Sequence, residues 1–161
     1  TGDLTGKVLA EALVPPLTLA QVQECLDAHH GVLEMAAPAY SAVKHQGKPL
    51  YQYARRGIAV PAKPRKSTVH EWRALSYEAP DIEHRLRCSS GTYVRSLANE
   101  IGGKLGCGGT VLTLRRERVA GLDVKDALTL EAIKGLAAQD LRRLLAASLP
   151  ALEAVLAPAR S

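Results

Sequence analysis

The stretch Arg-Cys-Ser-Ser-Gly-Thr-Tyr-Val-Arg-Ser-Leu, residues Arg87 to Leu97, constrains the chain more than any other. Ahead of it, Ile82, His84, Leu86 and Cys88 alternate with Glu83, Arg85 and Arg87. A period of two marks a strand with one buried and one wet face. Ser89-Ser90-Gly91 is a turn signal, and Gly91 reaches positive φ without steric cost. Behind it, Val94, Leu97, Ile101 and Leu105 recur at helical spacing, and Gly102, Gly103 and Gly106 loosen and then close that helix. The predicted helix therefore runs from Thr92 to Leu105, with the Thr92 hydroxyl as its N-cap. Arg95 falls in the first turn, off the apolar stripe and beside the strand's end. A cation there opposes the helix dipole at a cost of a few tenths of a kcal/mol. Two readings are open at this point: a solvated helix arginine, or an arginine held to meet a carboxylate or phosphate with its planar fork.

The rest of the chain reads as an α/β domain of the α+β type. Its mixed, mainly antiparallel sheet is flanked by helices. Strands are predicted at Lys7–Ala12, Ile58–Val60, Ser67–Tyr77, Ile82–Cys88 and Thr110–Val119, the last carrying Leu114-Arg115-Arg116. Thr18 is the expected cap of a helix reaching His30, with Leu19, Val22 and Leu26 on one face and Gly31 as its stop. Pro38–Lys44 reads as extended, Gln46–Pro49 as a turn, and Leu50–Gly57 as a two-turn helix closed by Gly57. Thr129 should cap a helix through Ile133, and Asp140–Leu156 a helix interrupted at Pro150. The expected division is 1–135 for the main domain and 136–161 for a helical tail.

Composition narrows the function classes. With 161 residues, 47% of them hydrophobic and none of them Phe, a core of Leu, Val, Ala and Ile is available. No apolar run approaches the roughly 20 residues of a membrane span, and the opening residues do not read as a signal peptide. Cys25, Cys88 and Cys107 form no Cys-x-x-Cys pair, and the five histidines lack metal-ligand spacing. A reduced, cytoplasmic protein without a membrane partner is expected. The net charge of +5 is unevenly spread. Lys44, Lys48, Arg55, Arg56, Lys63, Arg65, Lys66 and Arg73 face Glu71 alone, whereas residues 1–34 hold Lys7 against Asp3, Glu11, Glu24, Asp27 and Glu34. Such a basic middle is either a solvated face or a polyanion-binding one. Tyr51, Tyr53 and Trp72 lie among these charges, and interleaved aromatics favour RNA whose unpaired bases can stack. The Gly-rich run Gly102–Gly109 lacks the spacing of a phosphate-cradling loop.

Three segments carry a resemblance: Pro38–Arg56 with Tyr-Ser-Ala-x-Lys, Cys88–Gly106 with Gly-Thr-Tyr-Val-Arg, and Leu112–Arg116. With the opening Thr1-Gly2-Asp3-Leu4-Thr5-Gly6-Lys7-Val8, in this order, they resemble the later part of the TruB family, the synthases acting on uridine 55 of the tRNA T loop. The resemblance runs from Thr1 to about Ile133. It implies a flipped uridine, cleavage of its C1′–N1 bond and rejoining through C5, with no cofactor and no metal. Flipping is needed because neither atom can be reached in a stacked base. On this resemblance Arg95 is the arginine that pairs with the family's catalytic aspartate. Asp3 is an acid near the target base, and Leu114 an apolar residue of the uracil pocket. Tyr40 and Lys44 shape the pocket and meet the RNA, and Tyr93 is a further substrate-binding residue. Lys48, Arg55, Arg56, Lys63, Arg65 and Lys66 are the expected RNA contacts.

The departures matter as much. The family's catalytic aspartate lies in a Gly-x-Leu-Asp-Pro-type motif before the Thr-Gly-Asp segment, as does its base-stacking tyrosine, and neither has a counterpart in these 161 residues. Met35 stands where Gln is common, and Glu100 where Asp is common. Leu149–Ser161 is too short for the RNA-binding module appended in some members. The expectation is therefore a truncated synthase fold, inactive by itself. Its partners would be the T arm of tRNA and either the segment bearing the aspartate or a second copy. The alternative is an RNA-binding module that keeps the surface and lacks the chemistry.

Overall fold

The computed structural model describes residues Gly2–Leu4, Gly6, Val8, Ala10–Pro61 and Lys63–Leu156, the last eight of these as backbone only. It divides into two compact units, Thr1–Thr113 and Leu114–Ser161.

The first unit is built on an antiparallel sheet in the order β1-β4-β5, formed by β1 (Gly31–Ala36), β4 (Pro64–Glu78) and β5 (Asp81–Cys88). The alternation of Ile82, His84, Leu86 and Cys88 appears as predicted, half-buried residues alternating with exposed ones along β5. On β4 the period is broken twice. Val69 pairs with Cys88 but Glu71 with Arg87, and Ala74 pairs with His84 but Ser76 with Glu83. Each slip inserts one residue, His70 and Leu75, as a β-bulge. Since a one-residue shift reverses the faces, Ser67 and Val69 are buried first and Trp72 after the bulge. The inward face of β4 is thus Val69, Trp72 and Ala74, matching Cys88, Leu86 and His84 across the ladder.

Two helices cover that face: α1 (Leu19–Asp27) and α3 (Val94–Lys104). Leu26, Val69, Trp72, Leu97 and Ile101 form the core, with Leu33, Met35, Ala74 and Leu86 against it. Burying each such side chain is worth about 1.5–3 kcal/mol. Trp72 is therefore core, 2% exposed, and not a surface for stacking bases. The sequence placed it among charges, but the first bulge turns it inward.

The helix at Thr18 forms with a full capping box, Thr18 and Gln21 each bonding the other's backbone. It ends at Asp27, earlier than His30, and Gly31 opens β1 instead of stopping the helix. The strand Gly31–Ala36 had no sequence signal, since only Leu33 and Met35 face the core. Beyond Val69, where β1 stops pairing, Gln23 of α1 and His30 of the turn before β1 supply the missing ladder partners. The Trp72 amide donates to His30 Nε2 at 3.2 Å. The Gln23 amide nitrogen donates to the Trp72 carbonyl at 3.0 Å, and the Ala74 amide donates to Gln23 Oε1 at 2.8 Å.

Between these elements, β2 (Lys44–His45) and β3 (Lys48–Pro49) form a hairpin. Gln46 and Gly47 both have positive φ, 47° and 80°, as a two-residue type I′ turn requires. The helix that follows, α2 (Leu50–Ala54), is shorter than expected, with Gly57 at φ 69° behind it. Ile58–Val60 is not a strand. Of the predicted strand Lys7–Ala12, Lys7 and Leu9 lie outside the described residues and the rest is irregular.

The run Gly102–Gly109 is a packing device. A Cβ on Gly102 would sit 2.0 Å from the Gly108 carbonyl carbon, and one on Gly109 would sit 2.2 Å from the Ala98 carbonyl oxygen. The backbone leaving α3 folds back against the helix, with Gly106 at φ 85° making the reversal.

The segment Thr110–Val119 runs from the first unit into the second and is not one strand. Val111 makes an isolated bridge to Asp3, and Arg118–Val119 (β6) pairs with Leu122–Asp123 (β7). Thr129 caps α4 (Leu130–Lys134) as predicted, bonding the Ala132 amide. The helix α5 (Ala138–Leu156) runs on past Pro150 without interruption. Residues 157–161 lie outside the described residues. Among the described residues no helix is long and apolar enough to cross a membrane.

Two expectations follow for stability. Gly102→Ala should destabilise by about 3 kcal/mol or more, because backbone rather than a side chain blocks the methyl. Gly103→Ala, next door with nothing within 4 Å, should stabilise by about 0.5–1 kcal/mol. Denaturant unfolding reads both. The second concerns His84, whose Nδ1 accepts from Trp72 Nε1 at 3.0 Å and whose burial holds its pKa below the usual imidazole range. The unfolded chain takes up that proton near pH 6.5 and the folded chain only lower. The His84 contribution is therefore intact above about pH 6.5 and shrinks as pH falls below it. His84→Gln should flatten the loss of unfolding midpoint between about pH 7.5 and about pH 5.5.

Candidate functional site

The strand–turn–helix junction expected from the sequence is present in the first unit. β5 ends at Cys88, the turn passes Gly91 at φ 79°, and α3 starts at Val94. Thr92 is not the cap. Tyr93 is the N-cap residue, and no side chain caps α3 among the described residues. The Thr92 hydroxyl instead donates to the Ser89 carbonyl at 2.9 Å and bonds the hydroxyl of Ser67 on β4. A buried neighbouring strand competes for that hydroxyl more effectively than the helix's own amides.

Arg95 is neither solvated nor idle. One guanidinium nitrogen lies 3.4 Å from Asp3 Oδ2, and the other donates to the Tyr40 carbonyl at 2.9 Å. Both charged side chains are about a quarter exposed, 26% and 27%. Three residues 92 and 55 positions apart are thereby joined. Tyr40 takes part through its backbone, and its side chain is exposed. Asp3 is fixed by a parallel bridge to Val111, whose amide donates to the Gly2 carbonyl at 3.1 Å. Gly2 itself was not read as a site residue. Its φ of 76° and the 3.3 Å from its would-be Cβ to Arg95 Cβ make it the close-approach position that seats Asp3 beside the arginine. The missed signal was the glycine directly before the acid.

An open cleft of about 610 Å³ begins at Arg95, with Glu34, Tyr40, Ser96, Asn99 and Glu100 among its lining residues. Glu100 stands 3.5 Å from His29 Nε2, while His29 Nδ1 donates to the Cys25 carbonyl at 2.7 Å. Met35 both lines the cleft and packs on the core. Among the described residues no group of three His, Cys, Asp or Glu side chains is placed to hold a metal.

The remaining site residues are spread out. Tyr93 is half-buried at the helix start. The Tyr40–Lys44 loop anchors α2, because the amides of Leu50 and Tyr51 donate to the Val43 and Ser41 carbonyls at 2.8 and 3.1 Å. That replaces a side-chain cap, which Pro49 cannot give. Lys44 and Lys48 are exposed on the hairpin, Arg55 and Arg56 are exposed behind α2, and Lys63, Arg65 and Lys66 are exposed at and before the start of β4. The Arg55 guanidinium lies 5.2 Å from the Tyr51 ring centroid, and Tyr53 donates to the His45 carbonyl. Leu114 is 63% exposed and belongs to the second unit.

An antiparallel α+β sheet domain that presents an arginine–carboxylate pair at a strand–helix junction has the build of a pseudouridine synthase fold. The profile of the "TruB family pseudouridylate synthase (N terminal domain)" matches residues 1–94, and that of the "tRNA pseudouridylate synthase B C-terminal domain" matches residues 95–161. The chain belongs to the TruB family. It is 44% identical over 128 residues to the tRNA pseudouridine synthase B of Endomicrobium trichonymphae, covering 80% of this chain and 56% of that relative. It is 43% identical over 146 residues to that of Aromatoleum aromaticum, covering 91% and 47%, and 40% identical over 139 residues to that of a Marinomonas strain, covering 86% and 45%. The chain thus spans about half the length of the curated relatives it matches.

The Asp3–Arg95 pair should be measurable by itself. A double-mutant cycle with Asp3→Asn and Arg95→Met should return a coupling of about 0.5–1 kcal/mol in unfolding free energy, the range of a partly exposed ion pair. A coupling near zero would mean that the two side chains do not hold each other in solution.

Proposed function

We propose that this chain carries the arginine half of a tRNA pseudouridine synthase site, which isomerises uridine 55 in the T loop. The observation that carries the proposal is the Arg95 fork, held between the Asp3 carboxylate and the Tyr40 carbonyl at the mouth of an open cleft. An arginine fixed in this way meets an incoming carboxylate without first being ordered. It keeps that acid ionised, since a nearby cation lowers its pKa. In the reaction the carboxylate assists departure of the base from C1′. Asp3 is not assigned that attack, because the family resemblance puts the catalytic aspartate in a separate motif ahead of the Thr-Gly-Asp segment. Its role is to anchor the arginine.

In the first unit Tyr93 is a proposed substrate contact, with Tyr40 and Lys44 shaping the pocket and meeting the RNA; in the second unit Leu114 is proposed as an apolar contact of the base. Lys48, Arg55, Arg56, Lys63, Arg65 and Lys66 would meet phosphates of the T arm. Such contacts are electrostatic and weaken with salt. The aspartate-bearing motif absent from these 161 residues would have to come from another segment or another chain. Leu4, Val8 and Leu13, exposed by 60%, 67% and 95%, offer apolar surface for it or for a second copy.

Tritium release from C5-labelled uridine in tRNA tests this reading. The 161 residues alone should release none above the no-enzyme control, while still binding tRNA in a salt-dependent way. On a longer chain that includes the aspartate motif, release should appear. There Arg95→Ala should lower the single-turnover rate by roughly 100-fold, with only a few-fold loss of affinity. Arg95→Lys should stay poor, since a point charge does not replace a fork. No release from the longer chain, or equal losses in rate and affinity, would refute the proposal.

A further inference from the structure

The start of α3 poses a mechanical problem. Arg95 must stay within hydrogen-bond reach of two fixed partners, yet the helix turn that bears it has no side-chain cap among the described residues. An uncapped helix end frays readily. Something else must hold the turn.

The geometry points to the hydroxyls of Ser67 and Thr92, which we infer to be positioning residues for Arg95. Ser67 lies on β4, opposite Leu33 of β1, and is 4% exposed. Its hydroxyl bonds that of Thr92, three residues before Arg95. The Thr92 proton goes to the Ser89 carbonyl at 2.9 Å, so Ser67 is left as the donor to Thr92. The direction is therefore fixed: Ser67 to Thr92 to Ser89. The same turn is joined to the next residue of β4 by two more bonds. The Thr68 amide donates to Ser89 Oγ at 2.9 Å, and the Ser89 amide donates to the Thr68 carbonyl at 2.8 Å.

These bonds latch the whole turn from Ser89 to Thr92 onto a central strand. From Thr92 the chain has only Tyr93 and Val94 before Arg95. The amides of Ser96 and Leu97 both reach back to the Tyr93 carbonyl, at 2.9 and 3.1 Å. The position of Tyr93, and with it the first turn, therefore follows the latch. At the far end Leu97 is fully buried, so the turn is held from both sides. Among the described residues neither Ser67 nor Thr92 hydrogen-bonds Asp3 or Tyr40, and both reach Arg95 through the backbone. The inference rests on the reading of Arg95 as the arginine that meets a carboxylate.

The test uses the 161-residue chain and needs no activity. NMR can follow rotation of the Arg95 guanidinium about its Nε–Cζ bond and solvent exchange of its Nη protons, the signal being identified by its loss in Arg95→Lys. Thr92→Val keeps the shape and removes the hydroxyl. It should speed both processes about fivefold, the factor of one net hydrogen bond. Ser67→Ala should do the same from the other side. The double variant should add little to either single change, because both act on one bond chain. Thr92→Ser keeps the hydroxyl and should restore wild-type values. If Thr92→Val fails to fold, Ser67→Ala carries the test alone. A lower melting temperature with unchanged Arg95 dynamics would overturn the inference and leave a merely structural latch, as would failure of Thr92→Ser to restore them. Binding of a T-arm RNA hairpin by the unaltered chain is measured separately. Its absence would remove the functional reading and leave the dynamics result standing.

Discussion

The two inserted residues of β4 set the terms for everything packed on it. A strand of 15 residues with an unbroken period would show either Val69 or Trp72 to the core, but not both. The bulge at His70 brings both inward, onto the same face as Leu86 and His84 of β5. Trp72 then needs a partner for its indole N–H, and His84 Nδ1 provides it. β1 pairs with β4 only as far as Val69. The backbone groups left open there are taken by Gln23 and His30 of the α1 end of the chain. The irregular part of the ladder is thus completed by side chains of α1 and of the turn that follows it.

The site is placed by that frame through α3, which packs on the same core. α3 is seated through Leu97 and Ile101, and its exit is fixed by the glycine contact between Gly102 and Gly108. Its entry is fixed by the hydroxyl bonds from Ser67 and Ser89. Between these two anchors Arg95 projects from a half-buried position toward Asp3 and Tyr40. Local strain is small, since the positive-φ positions Gly2 and Gly91 are glycine. The arrangement favours a charge presented at constant geometry, which is what an electrostatic contribution to catalysis requires.

The basic middle behaves differently. Its lysines and arginines sit on a hairpin, behind a short helix and at a strand's beginning, all exposed. Nothing about the core depends on them, and the aromatic residues among them have structural tasks. Tyr53 braces the hairpin by bonding the His45 carbonyl, and Trp72 is interior. The polyanion reading rests on the charge alone.

Several features were legible because their cause is local. The period of two on β5, the turn at Gly91, the capping box at Thr18, the cap at Thr129 and the turn at Gln46–Gly47 each depend on residues within a few positions of one another. The motifs around Tyr40 and Arg95 identified the family for the same reason. What the sequence could not decide involves competition between distant partners. Whether Thr92 caps its helix or bonds Ser67 depends on a strand 25 residues away. Whether Arg95 is solvated or paired depends on Asp3, 92 residues away. Trp72 passes from a charged run to the core because one residue bulges, and Gly31–Ala36 becomes a strand because β4 offers it an edge. Local chemistry set the elements and the candidate groups. Burial and hydrogen bonding across the fold decided which of those groups would meet.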